Sequence, residues 1–298
     1  MPRIRIAVTG TSGQILRSLV ERSAGTGCDV ICIGRPTLDL GQPDTIDRTL
    51  ATTTADVLVS AAAYTDVNKA EAEGDIAELI NARAPGLLAA RANGLGIPLI
   101  HLSTDYVFDG TKRDPYVESD PIRPINAYGR SKANGERAVA AAHPCHVILR
   151  TSWVYSPFNR NFVRTMLDLA RKQSDVRVVA DQSGNPTAAA DIADGILAVA
   201  QNLVEGRGEE RYGTFHMAAD GAATWAEFAT AAFAASAERG GPSAHVVPIA
   251  SAEYQTPARR PANSQLDCAK IARVHGVSLP RWRSSLGPCV GRILEQGA

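Results

Sequence analysis

Ile4-Arg5-Ile6-Ala7-Val8-Thr9-Gly10-Thr11-Ser12-Gly13-Gln14 joins a short apolar run to a glycine-containing turn, and its reading decides the fold. A run of strand length that passes at once into glycines and then into a helical stretch is how dinucleotide-binding folds open. Backbone N–H groups of the turn and the helix N-terminus then face a pyrophosphate, while Gly10 and Gly13 permit the tight turn and the close approach. Thr11, Ser12, Gln14 and Ile15 complete this candidate phosphate-side set. Leu16 stands where a third glycine is expected, and that glycine serves close helix-on-strand packing, so a changed packing geometry is expected there.

The same rhythm continues outward. Val30 to Ile33, Val57 to Ala61, Leu99 to Ser103 and Val147 to Arg150 read as buried strands separated by amphipathic or Ala-rich helical stretches. Strands without polar alternation, separated by helices, are what a parallel sheet covered on both faces needs. The fold class is therefore α/β, a doubly wound Rossmann-type sheet. After Ser156 the rhythm loosens. A helix is expected at Phe162 to Arg171, a strand at Val176 to Val179, a helix at Ala189 to Leu203, a charged turn at Glu205 to Glu210 and a helix at Trp225 to Arg239. The expected division is a nucleotide-binding domain over 1–155, with a returning segment near 176–205, and a smaller, mainly substrate-binding domain over 156–298.

A chain of 298 residues with 45% hydrophobic content can bury one large core, or a main core and a smaller one, which excludes a disordered or fibrous protein. Lys plus Arg number 31 and so do Asp plus Glu, so no surplus of positive charge points to nucleic acid or an anionic membrane as partner. The first apolar run is too short for a signal peptide or a membrane span, and a cytoplasmic location is expected. Five scattered cysteines without a CxxC pair suggest reduced, mostly buried thiols.

At the cofactor end, the second strand is followed by Gly34-Arg35 with no acid to grip a ribose 2′-hydroxyl. Arg35 either receives a 2′-phosphate or is a solvated loop arginine; the first alternative makes NADPH at least as good a cofactor as NADH. Asp39-Leu40 either meets the adenine amino group or prepares the turn at Gly41. Small residues in Ala61-Ala62-Ala63-Tyr64-Thr65 leave room for a flat cofactor against the backbone.

At the chemical end, Tyr128 and Lys132 are four apart at the start of a stretch, Ser131 to Ala142, that reads as helix, so they share a face. A phenol titrates near about 10, and a fixed ammonium beside it brings that value down toward working pH, which suits Tyr128 to general acid catalysis. Thr104, after the strand Leu99 to Ser103, offers a hydroxyl to a substrate carbonyl.

Five runs carry a resemblance: residues 61–67 (AAAYTDV), 103–110 (STDYVFDG), 128–132 (YGRSK), 150–155 (RTSWVY) and 256–261 (TPARRP). On these, spread over nearly the whole chain, the sequence resembles the extended short-chain dehydrogenase/reductases, in particular the branch that reduces dTDP-linked 4-keto-6-deoxy sugars. The resemblance implies that Thr104, Tyr128 and Lys132 form the catalytic trio, with Lys132 also holding the nicotinamide ribose. It implies that Ala63, Tyr64 and Thr65 line the cofactor and that Asp105 and Trp153 contact the sugar nucleotide. From the residues themselves, Trp153 reads equally as a core aromatic. Arg259 and its neighbour Arg260 suit a diphosphate by forked hydrogen bonding, or form a solvated patch.

Some members of the family use Mg²⁺ at a dimer contact built from glutamates; Ile15 and Ala190 stand where carboxylates would be wanted, and no ligand cluster is identified. Monomer and homodimer both remain open. Two rivals share the fold: an epimerase or 4,6-dehydratase, the latter disfavoured because Tyr106 rather than Glu follows Thr104-Asp105, and a non-catalytic regulatory subunit, disfavoured by the intact trio.

Overall fold

The computed structural model describes residues 3–206 and 209–296. Each apolar run of the first half is a strand: β1 (Ile4–Thr9), β2 (Cys28–Ile33), β3 (Val57–Ser60), β4 (Leu99–Thr104) and β5 (His146–Thr151). They run parallel in the order β2-β1-β3-β4-β5. Helices α1 (Gln14–Arg22), α2 (Asp44–Thr52), α3 (Gly74–Glu78), α4 (Ala84–Leu95) and α5 (Ala127–Ala142) connect them. Successive side chains point to opposite faces. Ile6, Val8, Val57 and Val59 therefore enter one core, and Ala7, Leu58, Leu99 and Ile148 another. Burial on both faces explains the absence of polar alternation.

The chain then forms β6 (Val154–Tyr155), α6 (Phe162–Ala170), β7 (Asp175–Val179), β8 (Ser183–Gly184), β9 (Thr187–Ala188), α7 (Ala189–Glu205) and β10 (Gly213–His216). β10 pairs with β5 and completes a six-stranded parallel sheet, while α7 packs on α1. Beyond it lie β11 (Ala223–Thr224), α8 (Trp225–Ala237), β12 (His245–Ile249), α9 (Ala269–His275) and α10 (Trp282–Gln296). The strand expected at Val176 to Val179 exists as β7, but it pairs with β12 and not with the central sheet. The segment that returns to the sheet is α7 with β10. A third core of Val163, Leu167, Val176, Phe228, Phe233 and Trp282 forms between α6, α8, α10 and β7. Of the turn expected at Glu205 to Glu210, positions 207 and 208 lie outside the described residues.

Two local differences from the sequence reading have physical causes. Helix α5 starts at Ala127, four residues before Ser131, because the Asn126 side chain caps it, accepting from the Gly129 N–H at 2.7 Å. Leu16, in place of the third glycine, turns into the core and is 3% exposed, so α1 keeps its seat against the sheet through an aliphatic contact. All five cysteines are unpaired; Cys28 and Cys289 are buried, Cys145 and Cys268 half-buried and Cys32 exposed, so fewer lie in the core than expected. Among the described residues no helix is long and apolar enough to cross a membrane.

Candidate active site

A cleft of about 620 Å³ opens across the carboxyl ends of β1 to β5, where open α/β sheets bind ligands. Gly10, Thr11, Ser12, Gly13, Gln14 and Ile15 line one end. Gly10 holds φ +118°, a conformation that side chains rarely adopt, and a Cβ on Gly34 would lie 2.8 Å from the Gly10 backbone, so both positions demand glycine. A Cβ at Gly13 would meet nothing within 4 Å. The turn is thus a small-residue cradle, and it fits a dinucleotide's phosphates.

Arg35 and Leu40 line the cleft, as do Ala62, Ala63, Tyr64 and Thr65. Asp39 does not: one carboxylate oxygen is 3.4 Å from Arg35 Nε and the other accepts from the Gly41 N–H at 2.9 Å, which matches its turn-preparing alternative. Two lining or supporting residues escape the sequence reading. Thr9 Oγ1 accepts from the N–H groups of Ala61 and Ala62, at 2.9 and 3.0 Å, fixing that segment beside β1. Asn81, fully buried in a π-turn at Leu79–Arg83, accepts from Tyr64 N at 2.8 Å and donates to Tyr64 O at 2.9 Å and Ser131 Oγ at 3.0 Å. A lone buried Asn in an aperiodic turn leaves no pattern to find.

Tyr128 and Lys132 both border the cleft from α5. Tyr128 lies beside Thr104, whose Oγ1 donates to Asp105 Oδ1 at 2.9 Å. Asp105, 3% exposed, accepts a further bond from Ser152 Oγ at 3.1 Å; burial nevertheless pushes its pKa up to about 6. Burial, helped by the Asp105 carboxylate, raises the Tyr128 phenol well above its ordinary value. That corrects the expectation that Lys132 lowers it: the Lys132 ammonium is held by the Leu102 carbonyl at 2.6 Å and faces His101 Nε2 at 3.3 Å. Its own pKa falls to about 8 because it is buried, the Glu136 charge opposing the fall.

Thr104, Asp105, Trp153 and Arg259 lie outside the cleft lining. Asp105 joins the Tyr128 cluster directly. Trp153, in a left-handed φ of 45°, stacks flat on Trp225 with ring centroids 3.4 Å apart, so one face is covered and it remains half-buried. Arg259 is exposed and meets the site through its backbone, its carbonyl accepting from Asn126 at 2.8 Å. Its neighbour Arg260 instead acts electrostatically on Tyr106, whose ring sits edge-on to Tyr128 with centroids 6.1 Å apart. Among the described residues no three His, Cys, Asp or Glu converge into a group that would hold a metal.

A phosphate-cradling turn, a dinucleotide-sized cleft at the strand ends and a Tyr–Lys pair one helical turn apart define an oxidoreductase of the extended short-chain dehydrogenase/reductase class. The model of the family described as RmlD substrate binding domain matches residues 4–294, and the chain belongs to that family. It is 46% identical, over 99% of both chains, to a dTDP-4-dehydrorhamnose reductase of Sinorhizobium fredii. Among solved structures it is similar to a dTDP-4-dehydrorhamnose reductase from Clostridium acetobutylicum (TM-score 0.90, 33% identity, covering 98% of this chain and 100% of that one). It is also similar to one from Bacillus anthracis in complex with NADP (TM-score 0.88, 32% identity, 96% and 98% covered).

Proposed function

We propose that this chain is an NADPH-dependent reductase that converts the C4 keto group of dTDP-4-dehydrorhamnose to the hydroxyl of dTDP-L-rhamnose, working in the cytoplasm. The observation that carries this reading is Tyr128 set beside Thr104 at the end of β4, one helical turn from the buried Lys132, with both α5 residues lining a dinucleotide-sized cleft. Relatives carrying that activity in their names over the full length of the chain support it.

When bound, NADPH supplies the hydride. Tyr128 keeps its proton at neutral pH, because burial and Asp105 disfavour the phenolate, and gives it to the oxygen at C4 as negative charge develops there. Thr104 orients the phenol and the sugar carbonyl. Lys132, fixed by the Leu102 carbonyl, holds the nicotinamide ribose. The turn Gly10 to Ile15 takes the pyrophosphate, Ala62 to Thr65 pack against the cofactor, and Arg35 with Leu40 serve its adenosine end. Asp105 and Trp153 read the sugar, and the loop of Arg259 and Arg260 reads the diphosphate, with Arg260 the better placed.

Incubation with NADPH or NADH and a panel of nucleotide-linked 4-keto sugars tests the reading. NADPH consumption with dTDP-4-dehydrorhamnose and appearance of dTDP-L-rhamnose are expected. Epimerised or dehydrated product without net dinucleotide consumption would overturn it.

A further inference from the structure

Five residues after β6, Ser156-Pro157-Phe158-Asn159-Arg160, form a strap along the rim of the cleft beside the glycine turn, and Asn159 and Arg160 line the cleft itself. The strap is tied to that turn across about half the chain. Asn159 Nδ2 donates to the Ser12 carbonyl at 2.5 Å, and Ser156 Oγ donates to Gln14 Oε1 at 2.7 Å. Asn159 takes a left-handed φ of 53°, a conformation Asn adopts more readily than most residues with a Cβ. The strap's backbone is held from within: Asn161 Nδ2 donates to the carbonyls of Ser156 and Phe158, at 2.8 and 3.2 Å. The buried Phe158 ring has the guanidinium of Arg17 at 4.0 Å and that of Arg292 at 5.2 Å from its centroid.

With the backbone so placed, the Arg160 side chain is exposed at the cleft and has no ion-pair partner among the described residues. The charge inventory of the cleft gives it a task. The turn from Thr9 to Ile15 contains no Lys or Arg. Of the other cations that line the cleft, Arg35 is engaged with Asp39 at the far end and Lys132 is buried against Leu102. Backbone N–H groups and a helix N-terminus offset only part of a pyrophosphate's charge, whereas a guanidinium adds a full charge and a fork of donors matched to phosphate oxygens.

We infer that Arg160 is a cofactor-binding residue whose guanidinium supplies, for the dinucleotide's pyrophosphate, the positive charge that the glycine turn lacks. The inference rests on the cleft being a dinucleotide site. Because NADPH and NADH share the pyrophosphate, Arg160 contributes to both equally; Arg35, at the adenosine end, acts on the 2′-phosphate of NADPH alone.

The test is titration of the wild-type chain, Arg160→Gln, Arg35→Ala and Lys172→Gln with NADPH and with NADH, reading Kd. Lys172 belongs to a second cavity beside the strap, which it lines with Arg17 and Arg164; Asn159 and Arg160 border both that cavity and the cleft, whereas Lys172 borders only the former. Arg160→Gln is expected to raise both Kd values by the same factor, about 10- to 100-fold for a charge-assisted contact. Arg35→Ala should raise that of NADPH only, and Lys172→Gln should leave both within about twofold. Unchanged Kd values in Arg160→Gln, a loss confined to NADPH, or an equal loss in Lys172→Gln would each overturn the assignment. A wild-type chain that binds neither dinucleotide would instead remove the cofactor reading beneath it.

Discussion

Beneath the catalytic hydroxyls the protein buries charge; beside the stacked tryptophans it buries rings. Ser103 Oγ donates to Glu136 at 2.5 Å, Glu136 holds Arg150 through bonds of 2.9 and 2.7 Å, and Arg150 faces His216 at 3.4 Å, all in the interior. Removing one partner of such a pair typically costs about 3–5 kcal/mol, so the network admits one arrangement. Tyr128, Lys132 and Glu136 follow one another at four-residue steps along α5, and the network therefore clamps the catalytic face to the sheet. Around Trp153, by contrast, Trp225, Phe162 and Phe228 stack and tilt with centroids 3.4 to 6.5 Å apart. Such a cluster is held by area and dispersion and tolerates repacking. On the proposed function, chemistry that needs fixed distances sits on the first region, and recognition of a sugar that must enter and leave sits on the second.

The largest effect that would sharpen this contrast is at Tyr128. Tyr128→Phe is expected to lower kcat by about 10²–10⁴-fold while NADPH affinity stays within a few-fold, as measured by steady-state rates and cofactor titration. Near-normal turnover would move the proton donor elsewhere. Smaller, and confined to the aromatic region, is Trp153→Ala: kcat/KM for the sugar nucleotide should drop by roughly tenfold, the worth of one aromatic stack, with NADPH affinity unaffected. Parallel loss of both affinities would show that Trp153 serves the fold.

The smallest effect is a stability change at Asp105. Its pKa in the fold, about 6, lies above the ordinary 3.8, so the fold favours the protonated form; that contribution is complete below 3.8 and lost as pH rises through 6. Above that window the buried carboxylate is a cost that asparagine does not carry. Asp105→Asn should therefore raise Tm by a few degrees at about pH 8, with the gain vanishing near about pH 4. A gain of equal size at both would contradict the buried-carboxylate account.

The same two regions differ in what a sequence discloses. Ile4–Thr9, Val57–Ser60 and Leu99–Thr104 are continuous apolar runs because each is buried on both faces, and a local pattern records that. The glycine turn and the Tyr128–Lys132 spacing are equally local. β7 could be seen as a strand, but its partner β12 lies about 70 residues on, and nothing local names it. The strap at Ser156 to Arg160 meets Ser12 and Gln14 across more than 140 residues, so its place at the cofactor end was invisible until the chain was folded. Lys132 was legible as a partner of Tyr128 by spacing; that the Leu102 carbonyl and His101 would take its ammonium depends on a strand outside the helix.

The central claim is that this chain reduces C4 of the keto sugar directly, with Tyr128 giving the proton. It is tested most directly by running the reaction on dTDP-4-dehydrorhamnose with NADPH deuterated at the transferred position and locating the label by NMR. The account predicts deuterium at C4 of dTDP-L-rhamnose, in step with the NADPH consumed, and almost none in Tyr128→Phe over the same time. Label lost to solvent, or found at a carbon other than C4, would contradict it.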